Sequence, residues 1–285
     1  MTRDQKIEKK IIMFPNDLIC ECKTAEITAF NFLLQSHDSF ELFLFLEGEM
    51  VFYTEDSVRK IKRGDLVCIP PYTFHRGELQ TPELYTRIVI NINPELLLEY
   101  STDKTNLAAF FHQNAAERLF YYHLTEEEIS QYQSYAFLLE KVLRFENFGD
   151  DVLAEAYIKQ ILVMLNRMPG IPMLPEYLGK TAKLVSDTFS YIEEHITEKI
   201  RLNDIADYLH YDRSYISKSF KKIIGVSVQQ YIIIKRVAMA QQFLRKGYAP
   251  HDVCFMTGFN NYSHFSRTFL NHVGYSPKQY QLNSK

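Results

Sequence analysis

No apolar run in this chain approaches the roughly 20 residues needed to cross a bilayer; the longest purely aliphatic or aromatic stretches, such as Leu42 to Leu46, are far shorter. The N-terminal stretch from Met1 to Lys10 is charged and lacks the apolar core of a secretory signal. Cysteine is scarce: Cys20, Cys22, Cys68 and Cys254 are too few for a disulfide framework and fit a reducing, cytoplasmic setting. There is no repeat at a solenoid period and no low-complexity tract. These absences argue against a membrane span, a secreted disulfide scaffold and a repeat protein. What is present, 285 residues with 46% hydrophobic and 24% charged side chains, has the composition of a globular chain of two domains.

Charge is distributed unevenly. Residues 1–180 carry 18 basic against 27 acidic side chains, a net of −9, whereas residues 181–285 carry 14 against 8, a net of +6. From Arg213 to Lys285 there are 11 basic residues and one acidic residue, Asp252. Such segregation fits either a polyanion partner for the basic end or a basic solvated face.

The segment from Met168 to Pro175 holds three prolines and a glycine, which no helix can accommodate. It predicts a linker over 169–180 between a domain at 1–168 and another at 181–285. Ahead of it, two helices are expected at about 126–147 and 152–168. Thr125 followed by three glutamates supplies a cap and first-turn acids. Their apolar spacing runs through Phe137, Leu138, Val142 and Phe145, then Ile158, Ile161, Leu162 and Leu165, which serves either the domain's own core or a dimer seam. Earlier, short apolar runs at 40–46, 49–53, 65–69 and 85–92 are punctuated by turn residues, as in a β-sandwich or barrel.

Leu202 to Lys222 reads as two helices around a tight turn. Ile205, Ala206 and Leu209 form one packing face, His210-Tyr211-Asp212 makes the turn, and the Asp212 carboxylate can cap the second helix. Ile216 and Phe220 face inward; Arg213, Ser214, Ser217, Lys218 and Lys221 face outward, on a helix suited to a major groove. About fifty residues on, the pattern returns. Val253 and Cys254 pack, Gly258 turns, Asn261 caps, Phe265 and Phe269 face inward, and Ser263, His264 and Arg267 face outward. Between the units, Val228 to Arg245 has the spacing of one long helix.

Residues from about 184 to 282 resemble the AraC/XylS DNA-binding domain along its whole length. The resemblance is carried by Leu202, Ala206, Leu209, Phe220-Lys221-Lys222, Gly225, Tyr231, Arg236, Ala240 and Leu244. It continues through Gly258-Phe259, Phe265-Ser266-Arg267, Phe269, Gly274, Ser276-Pro277 and Tyr280. Two departures stand out: His210 replaces a common turn glycine, and Leu270-Asn271 replaces a basic pair. The resemblance implies base readout by Ser214, Ser217 and Lys218, then by Ser263, His264 and Arg267, with Arg267 able to grip guanine bidentately. Lys221, Lys222 and Lys278 would hold phosphates and fix register.

The pattern Gln35, His37, Glu41, Gly48, Gly64, Pro70 and His75 resembles the small cupin barrel that precedes this DNA-binding domain in many regulators. By that resemblance His37, Glu41 and His75 point into the barrel, with Tyr72 among the aromatic residues (Phe40, Phe43, Tyr53, Phe74) that could stack on a ligand. Metal-binding cupins use three histidines and a glutamate; with Gln35 in the first position, no metal or other cofactor is expected, although three ligands suffice for an open site. The polar groups could instead bind sugar hydroxyls or simply satisfy one another.

The expected fold is therefore α+β: a cupin-like β-barrel with flanking helices, then an all-α domain of two helix-turn-helix units joined by a long helix. The expected function is a transcription regulator, not an enzyme, that binds double-stranded DNA as a homodimer. A sugar-like effector would control it, and the family resemblance implies activation through RNA polymerase. Two other readings stay open at this point: a metal-dependent cupin enzyme fused to a DNA-binding domain, and a regulator with a vestigial sensor.

Overall fold

The computed structural model describes residues 18–26, 34–55, 57–80, 84–112, 120–144, 147–168 and 179–283. Seven strands come first: β1 (Leu18–Glu26), β2 (Phe40–Glu47), β3 (Met50–Thr54), β4 (Val58–Ile61), β5 (Asp65–Ile69), β6 (His75–Leu79) and β7 (Leu84–Ile92). Short helices α1 (Pro94–Glu99) and α2 (Ala109–His112) lead to β8 (Phe120–His123) and to the long helices α3 (Glu126–Arg144) and α4 (Asp150–Arg167). The C-terminal half is helical: α5 (Lys180–Glu194), α6 (Leu202–Leu209), α7 (Arg213–Ile224), α8 (Val228–Arg245), α9 (Pro250–Met256), α10 (Tyr262–Val273) and α11 (Pro277–Asn283). The chain is α+β as expected, and α8 has the bounds its apolar spacing predicts. Ser227 and Gln230 close a capping box at its start.

The strands form two antiparallel sheets, β1-β7-β2-β5-β8 and β4-β3-β6. Strand β2 shows why. Because successive side chains alternate faces, Phe40, Leu42, Leu44 and Leu46 join the core beneath α3 and α4. Phe43 and Phe45 instead join Phe52, Val67 and Ile69 between the two sheets. The larger sheet is thus buried on both faces, which accounts for the nearly continuous apolar run of β2. Gly48 and Gly64 make turns beside the strands, with φ of +109° and +88°.

Helix α4 buries Ile158, Ile161, Leu162 and Leu165, as its spacing predicts. Helix α3 follows expectation at Val142, which packs against that core, but not at Phe137 or Leu138. Its buried face is Ile129, Tyr132, Ala136 and Leu139, while Phe137 is 62% and Leu138 37% exposed. The helical period set by Ile129 and Tyr132 continues to Ala136, and Phe137 lies about 100° farther round the helix. Phe145 lies outside the described residues, as do residues 169–178 of the expected 169–180 linker; Lys180 already opens α5.

The outer face of the small sheet carries the C-terminal helices. Val51 and Val58 pack with Ala182 of α5, and Phe74 enters the core shared by α5, α7, α8 and α10. The resulting order of layers is C-terminal helices, three-stranded sheet, five-stranded sheet, then α3 with α4.

Candidate functional site

Between the sheets lies a cavity of about 210 Å³, lined by Gln35, His37, Glu41, His75 and Asn91 among others. Glu41 comes from β2 and His75 from β6, so the site draws on both sheets. His37 precedes β2, and Gln35 is held beside His75 by paired backbone hydrogen bonds of 2.9 and 3.0 Å. The phenyl rings of Phe43 and Phe52 and the phenol of Tyr85 supply apolar wall. The three residues the sequence placed inside the barrel, His37, Glu41 and His75, therefore do converge, and all three are buried.

Their hydrogen bonds define the site's chemistry. His37 donates from Nδ1 to the Ser39 carbonyl at 3.0 Å, and His75 donates from Nδ1 to the Thr73 carbonyl at 3.1 Å. Both Nε2 atoms then turn toward Glu41 Oε2. That of His37 bonds it at 2.6 Å, whereas that of His75 stands 3.8 Å away with no hydrogen-bond partner among the described residues. Burial alone would raise the Glu41 carboxyl, but the hydrogen bond and charge of His37, the facing His75 ring and the bond from Asn91 hold it at about 2. His75 moves the other way: burial, the larger effect, lowers its imidazole to about 4 despite the facing carboxylate. The site is thus an ionised carboxylate paired with one imidazole and facing a second, neutral one whose lone pair is unused. The ligand atoms of His37, Glu41 and His75 lie within 4.8 Å of one another, so these described residues could hold a metal ion.

Two expectations about the walls need correction. Tyr72 does not line the cavity; it sits at φ +63° and packs against the C-terminal core. Phe40, Tyr53 and Phe74 also face elsewhere, since strand alternation sends Phe40 toward α3 and α4 and Tyr53 to the outer face of the small sheet. Asn91 went unrecognised in the sequence. It lies directly opposite Glu41 in the β2–β7 register and donates to Oε2 at 3.1 Å. A polar residue alternating with Ile90 and Ile92 in an otherwise apolar strand is the signal that could have found it.

The second candidate surface is C-terminal. Asp212 caps α7 by accepting from the backbone of Ser214 and Tyr215 at 2.8 and 3.1 Å. His210 takes the left-handed conformation at the end of α6, with φ +57°. In the second unit, Asn261 caps α10 by accepting from His264 N–H at 2.9 Å. Phe220, Phe265 and Phe269 are buried, which fixes the rotation of both second helices. Arg213, Ser214, Lys218, Lys221 and Lys222 are consequently exposed on α7, and Ser217 is half-buried. In the second unit Asn261, Ser263, His264 and Arg267 are exposed, as is Lys278 on α11. Each second helix thus presents its N-terminal turn with small polar and basic side chains, the geometry by which such helices meet base edges and phosphates. Among the described residues, no single helix is long and apolar enough to cross a membrane.

Two family models match the chain. The family described as AraC-like ligand binding domain matches residues 20–162, and the helix-turn-helix domain family matches residues 205–283. The Msm operon regulatory protein of Streptococcus mutans is 24% identical, over 86% of this chain and 84% of its own length. An uncharacterized HTH-type transcriptional regulator of Staphylococcus aureus (strain MSSA476) is also 24% identical, over 83% of this chain, but the chain spans only 30% of that longer protein. Among solved structures, ToxT from Vibrio cholerae aligns with a TM-score of 0.40 and 14% identity, over 93% of this chain and 95% of that one. With both halves matched, the chain belongs to the AraC family of DNA-binding transcription regulators that carry an N-terminal ligand-binding domain.

Proposed function

We propose that this regulator is controlled by a small hydroxyl-rich molecule, a sugar or related metabolite, bound between the two sheets. The observation that carries the reading is the convergence of Gln35, His37, Glu41, His75 and Asn91 on one cavity with aromatic walls. Adjacent hydroxyls are both donors and acceptors, so they can satisfy the Glu41 carboxylate and the unused His75 Nε2 together. The volume, about 210 Å³, lies below the usual range of about 300–1,000 Å³ and restricts the effector to a small molecule. Thermal denaturation of the full chain with a panel of sugars and polyols tests this, because binding stabilises by RT ln(1 + [L]/Kd). A concentration-dependent rise with one class is the expected result; a flat response across the panel would refute it.

In this reading residues 181–285 bind duplex DNA through Arg213, Ser214, Ser217, Lys218, Lys221, Lys222, Asn261, Ser263, His264, Arg267 and Lys278. The protein acts as a cytoplasmic homodimer that activates transcription through RNA polymerase. Exposed Phe137, Phe148, Val152 and Leu153, at 62, 106, 66 and 42%, support α3 and α4 as the dimer seam. Light scattering at micromolar concentration should return a dimer.

A second reading is favoured by the unpartnered His75 Nε2. His37, Glu41 and His75 would then hold a divalent cation, the kind of donor set zinc accepts, and the ion would supply Lewis acidity to a bound ligand. Elemental analysis of purified full-length protein separates the readings: near one equivalent of metal supports the cation, and a trace amount supports the sugar site.

A further inference from the structure

The cavity and the seat of the DNA-binding helices are opposite faces of the same thin sheet. Along β3, Met50 and Phe52 line the cavity, while Val51 packs against Ala182 of α5 with Tyr53 beside it. Along β6, His75 and Gly77 line the cavity, while Arg76 points outward and donates through Nη1 to the Ile223 carbonyl in the last turn of α7. The pairing recurs ahead of β2, where His37 faces the cavity and its neighbour Asp38 forms an ion pair with Arg245 at the end of α8. Tyr72 binds these two loops together: its backbone N–H donates to the His37 carbonyl at 2.6 Å, and its ring lies in the C-terminal core. Just past β3, Glu55 accepts from Tyr231 and pairs with Lys235 Nζ at 2.6 Å, both on α8; Lys235 also meets Glu193 at 3.0 Å.

We propose that β4-β3-β6 with the 35–38 loop is the coupling element of this protein, and that Arg76, Asp38 and Glu55 are its transmission contacts. The proposal rests on reading the cavity as the effector site and adds how that site is regulated. The physical basis is the two-residue period of a strand: a displacement of His75 by an occupant cannot leave Arg76 in place, because the two are joined through one peptide unit. The same holds for His37 and Asp38. The contacts they make are discrete. Arg76, Asp38, Glu55 and Lys235 are all buried, and a buried charge cannot drift from its partner without replacement by another. Such a sheet has preferred seats for α7 and α8 rather than a continuum, as population-shift control requires. Helices α7 and α8 are the recognition helix of the first unit and the rod joining it to the second. A new seat therefore changes the placement of both readers while their base-facing residues stay exposed.

Coupling of this kind is reciprocal, and reciprocity supplies the test. Hydrogen exchange would be followed by mass spectrometry on the full chain with no ligand, in wild type, Glu41→Gln, His75→Gln, Arg76→Gln and Asp38→Asn. The two cavity variants should speed exchange across Val228–Arg245 and the end of α7 by at least about 5-fold, the lower end of usual coupling, with α10 within about twofold of wild type. The two outward variants should in turn speed exchange in β6 and residues 35–38. Ile158→Val, beneath α4 on the far side of the molecule, controls for general loosening and should do neither. The proposal is overturned if cavity variants alter exchange only within residues 35–92, or if they speed α8 and α10 equally. Should Glu41→Gln fail to fold, His75→Gln carries the same decision. Because no effector is added, an inert sugar panel would leave this result standing, and a failed exchange experiment would leave the sugar reading standing.

Discussion

In the first helix-turn-helix unit the chain turns at His210, exposed and at φ +57°; in the second it turns at Gly258, buried and at φ +79°. A Cβ on Gly258 would stand 2.8 Å from the Ile196 carbonyl oxygen and 2.9 Å from Thr197 Cα. The segment that crowds Gly258 is also gripped by Arg236 of α8, which donates to the Ile196 and Glu198 carbonyls. The first unit is instead held at the other end of its recognition helix, where Arg76 of the sensor reaches Ile223. One motif is thus fastened in two ways, the second unit to its own domain's backbone and the first to the ligand-binding half. The difference explains why a histidine is tolerated in one turn while only glycine fits the other. It also makes the first unit the direct receiver of any signal from the cavity.

The two units differ most at their turns. Gly258→Ala combines an unfavourable φ with overlap on the Ile196–Thr197 backbone and should cost about 2–4 kcal/mol. His210→Ala keeps the strain already present and should cost less than about 1 kcal/mol. Thermal or urea denaturation of the two variants decides the matter, and equal losses would remove the distinction drawn here.

Next in size is the loss of base reading. Arg267→Ala should weaken binding to a selected duplex by about 1–3 kcal/mol and relax preference at one base pair, as read from selection of binding sites before and after. Lys222→Ala, on the first unit, should weaken all sequences alike and reduce the salt slope by about one. An unchanged preference profile for Arg267→Ala would remove α10 from base readout.

How much of this was legible in the sequence depends on how local each feature is. The bounds of α8, the Asp212 and Asn261 caps and the His210 turn follow from neighbouring residues, and all were readable. The buried stripe of α3 was not. Phe137 and Leu138 look like core residues by hydrophobicity, but Ala136 is what the sheet admits, and only the packing partner decides that. In the cavity, His37, Glu41 and His75 were found through the resemblance to the cupin barrel, whereas Asn91 was missed because its role depends on strand register across the sheet. Tyr72 was misplaced for the converse reason. It lies three residues before His75, which lines the site, yet the left-handed turn at Tyr72 accompanies a ring packed toward the helices. Strand alternation at Arg76 and the adjacency of Asp38 to His37 were open to inspection, but their partners lie 147 and 207 residues away, and nothing local announces them.

The caps offer a smaller contrast. Asp212 satisfies two backbone donors and Asn261 one, so Asp212→Ala should destabilise more than Asn261→Ala, with both near about 1 kcal/mol in chemical denaturation. A reversed order would mean that water substitutes better at α7 than at α10.

The smallest effect separates the caps by charge. Asp212→Asn preserves the acceptor, so the first turn of α7 stays closed. It loses a favourable interaction with the helix dipole of only about 0.3–1 kcal/mol. The same carboxylate, however, is exposed at the end of the helix that would face phosphate, where a negative charge opposes binding. Stability should therefore fall slightly while affinity for any duplex rises, by roughly two- to fivefold at low salt. The gain should fade as the Debye length shrinks from about 30 Å at 0.01 M to about 8 Å at 0.15 M. Asn261→Asp is the mirror experiment, adding a charge where α10 presents its own first turn, and it should lower affinity by a similar factor, a loss that also fades as salt rises. Fluorescence anisotropy with a random duplex at both salt concentrations measures each change. If Asp212→Asn leaves affinity unchanged at low salt while Asn261→Asp lowers it, the two readers do not approach DNA in the same way, and the first unit's helix meets the duplex by its side rather than its N-terminus.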